Sequence, residues 1–242
     1  MGNDKHTRKL LVSSDTADYG SRSDKIREEL QVGFIATHDR AAAATGLHRD
    51  GWERHPAGDG ELVVLPPTEP ESAVVDGYVR RLAAELGERN AGLPVDEKLR
   101  LRVAVHFGVV YPAPNGLGGH AVVQVSRLLD WKPLKRALKE APEMNLVLIV
   151  SNRVFDETIR QGHTSHEIDT FLRVAVHEKE FQGEAWVWSP DVDVRRLAAL
   201  TDPKAGEEAG EKTAPSVAQN ASVINNFNER IRLNKANFGV IN

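Results

Sequence analysis

The sequence predicts an α+β fold: an antiparallel sheet of ferredoxin-like connectivity with helices on one side, extra C-terminal strands and a flexible tail. Three observations predict it. Short β-prone runs and helical periodicities succeed one another in the order β, α, β-hairpin, α, β, α, β, α, ββ. An Asp-Gly step joins two short strands within Pro56-Ala57-Gly58-Asp59-Gly60. After Pro190 the character changes, and Thr201 to Gln219 is rich in Ala, Gly, Glu, Lys and Pro without apolar period.

Arg8 to Ser14 is a β-prone run that stops at Asp15, and a polar Gly-Ser stretch leads into a helical pattern from about Ser23. Trp52 to His55 and Glu61 to Leu65 form the hairpin strands, closed by Pro66-Pro67. Ser72 to Arg89 carries Val75, Tyr78, Val79, Leu82 and Leu86 at the spacing of one helical face, with Gly92 and Pro94 beyond its end. Leu99 to Tyr111 alternates as a long strand. The Gly-rich loop Asn115 to Gly119 precedes a helix over Ala121 to Asp130, and Leu134 to Glu140 adds a short one. Asn145 to Val150 is a buried strand, Arg153 to Arg160 a helix, and Leu172 to Lys179 with Glu184 to Trp188 a closing antiparallel pair. The expected organisation is a domain over 1–190, a linker over 191–219 and a separate C-terminal element over 220–242.

Bulk composition narrows the function. The 242 residues are 40% hydrophobic and 27% charged with a net charge of -4, and the basic residues are scattered, so neither nucleic acid nor a membrane is an expected partner. There is no cysteine, which removes disulfides, thiolate nucleophiles and cysteine-ligated zinc. The start lacks an apolar leader, the longest aliphatic run is Leu146 to Val150, and His6 stands where a myristoylation signal needs Ser or Thr; a cytoplasmic protein is expected.

Two carboxylates stand where strands end: Asp15 after the first strand and Asp59 at the hairpin tip. If the first strand lies beside the hairpin they can converge, which suits divalent cations bridged to a triphosphate. Taken singly, Asp15 also reads as a loop or cap residue and Asp59 as an ordinary turn residue. His163, His166 and Glu167 sit on a polar loop and read as solvated residues more readily than as metal ligands. His106 reads as packed within its strand, and Trp186 and Trp188 as sheet-face packing.

The flanking residues carry a resemblance. Asp15-Thr16-Ala17-Asp18-Tyr19-Gly20 keeps an Asp and an aromatic four places on; Gly58-Asp59-Gly60 is followed by an aliphatic strand; Arg102, His106 and Gly108 keep a spaced strand motif; and Gly119, Val122, Arg127 and Leu128 keep a helix motif. In order and spacing these resemble the class III nucleotide cyclase catalytic domain over roughly residues 8 to 190. The resemblance implies a cyclase that converts a nucleoside triphosphate into a cyclic mononucleotide and pyrophosphate. It implies two Mg²⁺ or Mn²⁺ ions held by Asp15, Asp59 and the carbonyl of Thr16, and Tyr19 and Gly20 at the nucleotide. It also implies a homodimer in which Arg127 meets the phosphates of the partner's site.

This chain departs from the family in its base and ribose positions. Val123 stands where the family has an Asn, and Gln124 is adjacent but about 100° around the helix. His55 stands in place of a base-reading Lys, and Gly116 in place of its partner acid. The base is therefore unassigned, with pyrimidine cyclases of antiphage defence one branch of the resemblance.

The segment from Val223 to Asn242 is Asn-rich, aliphatic and proline-free, suited to stacked strands, and resembles short bacterial amyloid signalling motifs; a docked amphipathic helix is the other reading. Through it a protein partner is expected. Three functions thus compete: an active homodimeric cyclase in signalling or antiphage defence, an inactive cyclase-like scaffold, and a plain binding module.

Overall fold

The computed structural model describes residues 5–202. Its first half is a βαββαβ unit: β1 (Thr7–Thr16), α1 (Asp24–Ala44), β2 (Glu53–Ala57), β3 (Gly60–Val64), α2 (Glu71–Ala73) running through a π turn (Val74–Tyr78) into α3 (Val79–Asn90), and β4 (Leu101–Ala113). The second half adds β5 (Gly116–Gly118), α4 (His120–Asp130), α5 (Lys132–Glu140), β6 (Leu146–Ser151), α6 (Asn152–Val154) with a π turn (Phe155–Ile159), the hairpin β7 (Leu172–Glu178) and β8 (Phe181–Trp188), and α7 (Val194–Thr201).

The strands form one sheet in the order β2-β3-β1-β4-β6-β8-β7, with β5 paired to the end of β4. All pairings along it are antiparallel except β4 with β6. That parallel pair needs a crossover, and α4 and α5 supply it.

The α+β class stands, but the expectation of helices on one side does not. Leu10, Val12, Leu101, Val103, Val105, Leu146 and Leu148 pack with α1 and α3, whereas Leu11, Ala104, Val147, Ile149 and Val187 pack with α4, α5 and α7. Both faces of the sheet centre are covered. The physical sign is burial at every position of β4 from Leu101 to Val105 and of β6 from Leu146 to Ser151, apolar throughout except for Arg102 and Ser151, as in strands covered on both faces.

Three local differences matter. The hairpin loop is Gly58-Asp59, because Ala57 pairs with Gly60, so the Asp-Gly step itself is not the turn. Gly58 takes φ +64, and Gly60 lies inside β3, where a Cβ would fall 2.1 Å from the Ser14 carbonyl oxygen. The segment expected to be linker from 191 opens with α7, whose Asp193 side chain accepts from the Arg196 amide and whose Leu197 and Leu200 are buried. Arg136 of α5 donates to the Leu200 carbonyl. Lastly, His166 is buried, not solvated. It approaches the Val75 carbonyl through Nε2 and Arg80 through Nδ1, and it is boxed by Phe171 and Trp188. His163 is exposed, as expected. The rest of the linker and the 220–242 motif lie outside the described residues.

Candidate active site

Asp15, the penultimate residue of β1, lies directly opposite Arg102 of β4. Arg102 grips it with both forks, Nε to Oδ1 at 2.7 Å and Nη2 to Oδ2 at 2.6 Å, and both side chains are largely buried. Burial pushes the Asp15 carboxyl above the usual carboxylate range; Arg102 pulls it back, and the nearby Asp59 pushes it up again. Asp59 sits on the hairpin loop, and its carbonyl accepts from the Thr16 amide at 2.8 Å. The antiparallel pairing of β1 with β3 therefore brings Asp15, Thr16 and Asp59 together.

The donor set is small. Among the described residues no group of three or more His, Asp or Glu side chains converges as a metal cage. Two carboxylates nevertheless fit a magnesium-type site, since such ions keep several waters and take substrate phosphate oxygens as ligands. A carboxylate offers about four lone-pair directions, and the Arg102 fork uses two of those on Asp15.

The loop from β1 to α1 is held from three sides. Asp18 adopts φ +56, an uncommon left-handed conformation for a residue with a side chain, and meets Arg100 Nη2 at 3.1 Å. Arg100, itself buried, also donates to the Leu138 carbonyl at the end of α5. Arg27 donates to the carbonyls of Tyr19 and Gly20 at 3.3 and 2.7 Å. Gln31 donates to the Tyr19 hydroxyl at 2.8 Å and to the Gly58 carbonyl at 3.0 Å, so one side chain ties the loop to the hairpin. The sequence reading missed Gln31, whose only signal is its place on the α1 face two turns from the Ser23 cap.

A cleft of about 200 Å³ opens between α1 and the hairpin, lined by Thr16, Gln31, Phe34, Arg54 and Asp59 among others. Arg54 and Pro56 line it, while His55, one position between them, alternates to the opposite side of β2 and meets Glu53 at 3.1 Å. Asp15 alternates with Thr16 in the same way, so the cleft reaches Thr16 and Asp59 but not the Asp15 side chain.

The remaining predicted positions lie elsewhere. Arg127 on α4 pairs with Glu180, on the turn between β7 and β8, through Nε at 3.0 Å and Nη2 at 2.8 Å. Val123, one helical turn before it, is 38% exposed. Gln124 engages the His106 ring, which burial pushes down to about 4, with Arg153 and His120 adding to the effect and Gln124 opposing it. Within one chain the structure thus gathers Asp15, Thr16, Tyr19, Gly20 and Asp59 but leaves His55, Val123, Gln124 and Arg127 apart.

No protein-family model matches the chain, and no curated protein matches it in sequence. Solved structures do match in fold. An adenylate/guanylate cyclase/hydrolase from Silicibacter pomeroyi superposes with a TM-score of 0.57 at 17% identity, covering 77% of this chain and 98% of that one. The guanylyl cyclase Cya2 gives 0.53 at 15% identity over 78% and 93% of the two chains. The guanylate cyclase domain of RhGC from Catenaria anguillulae, solved in complex with GTP, gives 0.53 at 14% over 77% and 98%. With its βαββαβ unit, its parallel β4–β6 crossover and its closing hairpin, this chain has the fold of the adenylate and guanylate cyclase domains.

Proposed function

We propose that the protein is a nucleotide cyclase, converting a nucleoside triphosphate into a cyclic mononucleotide and pyrophosphate. The observation that carries the reading is the meeting of Asp15 and Asp59 at the end of β1, within a fold shared with cyclase domains.

In the proposed reaction the ribose 3′-oxygen attacks the α-phosphorus, its proton leaves to solvent or a phosphate oxygen, and the bond to the pyrophosphate oxygen breaks. Asp15, Asp59 and the Thr16 carbonyl would hold Mg²⁺ or Mn²⁺, which when bound lowers the pKa of the attacking hydroxyl and neutralises phosphate charge. Arg102 fixes the Asp15 carboxylate in one orientation, so little reorganisation is needed when substrate arrives. The loop bearing Tyr19 and Gly20, braced by Arg27, Arg100 and Gln31, lies beside the phosphates. Arg127 from a second copy supplies permanent charge to the transition state, exchanging Glu180 for phosphate oxygens. In signalling or antiphage defence the cyclic product would act as a second messenger, and residues 220–242 would couple the enzyme to a protein partner.

One observation favours a second reading, an inactive scaffold that binds a nucleotide or a signalling partner. Val123 presents an exposed apolar side chain one turn before Arg127, where a ribose-orienting amide would be needed, and Gln124 is turned to His106 instead. Incubating the purified protein with ATP, GTP, CTP or UTP and Mn²⁺ separates the two. A cyclic mononucleotide and pyrophosphate in equal amounts from at least one of the four, lost in Asp59→Ala, is the expected result. No product from any of them leaves the scaffold.

A further inference from the structure

The loop that leaves β1 turns on one residue. Asp18 takes φ +56 and ψ +20, a left-handed conformation that a side chain disfavours and that Asp and Asn tolerate better than most residues do. Among the described residues the other non-glycine position with positive φ is Lys179, which the tight turn between β7 and β8 explains. Asp18 is in no hairpin, so contacts must hold it. Its carbonyl accepts from the Ser21 amide at 3.1 Å and from the Ser21 hydroxyl at 2.7 Å, closing the short helical turn Tyr19–Ser21. The direction taken at Asp18 therefore sets where Tyr19 and Gly20 stand.

Arg100 holds that direction twice. Its backbone carbonyl accepts from the Ala17 amide at 2.9 Å, and its Nη2 donates to the Asp18 carboxylate at 3.1 Å. Through Nη1 the same guanidinium donates to the carbonyls of Leu138 and Ala141 at the end of α5, at 2.6 and 3.4 Å. The Arg100 side chain is 3% exposed and that of Asp18 39%, so the arginine is the fixed partner and the loop is drawn to it. The α5 carbonyls supply hydrogen-bond acceptors but no charge, and among the described residues Asp18 is the carboxylate that forms an ion pair with this buried cation.

We propose that Arg100 and Asp18 are a positioning pair: the guanidinium, anchored on α5, keeps Asp18 in its left-handed turn and so presents Tyr19 and Gly20 to the phosphates of the substrate. This role rests on the cyclase reading, in which that loop lies beside the phosphates. Neither side chain bonds Asp15 or Asp59, so loss of the pair weakens the hold on substrate more than it slows the chemical step.

Substitutions at position 18 separate backbone conformation from charge. Asp18→Ala removes the carboxylate and disfavours positive φ, Asp18→Gly removes the carboxylate but adopts positive φ freely, and Asp18→Asn keeps an acceptor and tolerates the turn. The expected order of damage is Ala, then Gly, then Asn. Kinetics of the full chain with Mn²⁺ and the triphosphate it cyclises should show KM raised roughly tenfold by Asp18→Ala and about threefold by Asp18→Gly, with kcat within about twofold of wild type. Arg100→Lys, which keeps the charge but cannot span Asp18 and α5 with one planar fork, should resemble Asp18→Gly. Hydrogen exchange of the amides of Ala17 to Arg22, measured without substrate, should quicken in the same order and requires no turnover. A wild-type protein that cyclises no triphosphate overturns the cyclase reading and the substrate side of this role, and the exchange order then decides whether the pair holds the loop. Equal effects of Asp18→Ala and Asp18→Gly, or a lowered melting temperature with wild-type KM and exchange, would reduce the pair to a structural contact and overturn the proposal.

Discussion

Two arginine–carboxylate pairs illustrate how surroundings decide what a contact is for. Arg102 and Asp15 have side chains only 10% and 16% exposed, and the fork is bidentate. Arg127 and Glu180 also meet within 3.0 Å, but Glu180 is 60% exposed at the tip of a turn. The first pair has shed water on both sides, so neither partner can leave without stranding the other. The second is screened by solvent and holds its arginine in a ready conformation while leaving it exchangeable. A site that needs one fixed carboxylate and one arginine able to change partners would be built from such a contrast.

The sharpest way to break the comparison is to remove each carboxylate in turn. Asp15→Ala leaves Arg102 buried without a counter-charge, and we expect roughly 3 kcal/mol of stability to be lost in urea unfolding, together with all turnover. Asp59→Ala, on the hairpin loop, should abolish turnover at nearly unchanged stability. Equal stability losses in the two variants would show that the Arg102 fork is no more embedded than a surface contact. Asp15→Asn, which keeps one acceptor for the fork, should fall between them.

A buried group on the same strand with no carboxylate partner sharpens the point. His106 is held neutral by burial, with its folded pKa lowered from 6.5 to about 4. The unfolded chain therefore takes up this proton first as pH falls, so the stability His106 contributes is complete above about pH 6.5. It declines between 6.5 and 4, by roughly 3 kcal/mol in all. His106→Gln should flatten that part of the unfolding profile between pH 7.5 and 5, even if it lowers stability at neutral pH. His38, fully buried against Ser14 and Tyr78 and held well below its ordinary value by burial and by Arg49 and Arg54, should supply residual acid sensitivity. A variant with the wild-type slope would mean that His106 charges freely in the folded protein.

These residues also mark how far the sequence could be read. The strands and long helices were legible because apolar period and turn chemistry are local, as in Val75 to Leu86 and in the hairpin around Asp59. Asp15 and Asp59 were legible because each ends a strand within a recognisable motif. Arg102 was visible as a motif residue, but its grip on Asp15 spans 87 residues and follows only from the register of β1 against β4. The two-sided burial was written in the unbroken apolar run Leu146 to Val150 of β6, and in β4 from Leu101 to Val105 with Arg102 as its one break, but needs α4, α5 and α7 in place to be recognised. The π turn at Val74–Tyr78 preserves the buried face of the helix, so periodicity alone does not betray it. α7 was missed because its signals, a cap at Asp193 and leucines at 197 and 200, are brief and stand next to a stretch without period.

The smallest stability effect belongs to the exchangeable pair and tests its proposed role most directly. Glu180 is held below the usual carboxylate range by its own backbone amide and by Arg127, yet it stays in solvent, so its attraction for Arg127 is heavily screened. Arg127→Ala should therefore leave the melting temperature unchanged while turnover is lost, since the arginine serves the phosphates of a second copy in the proposed reaction. Mixing Asp59→Ala with Arg127→Ala should then restore part of the activity, because a heterodimer pairs the intact carboxylates of one chain with the intact arginine of the other. Glu180→Gln should leave activity equal or slightly raised, as it frees the arginine without removing it. If subunit exchange is demonstrated and the mixture stays inactive, Arg127 does not act across a dimer, and its contact with Glu180 is a surface brace between α4 and the β7–β8 turn.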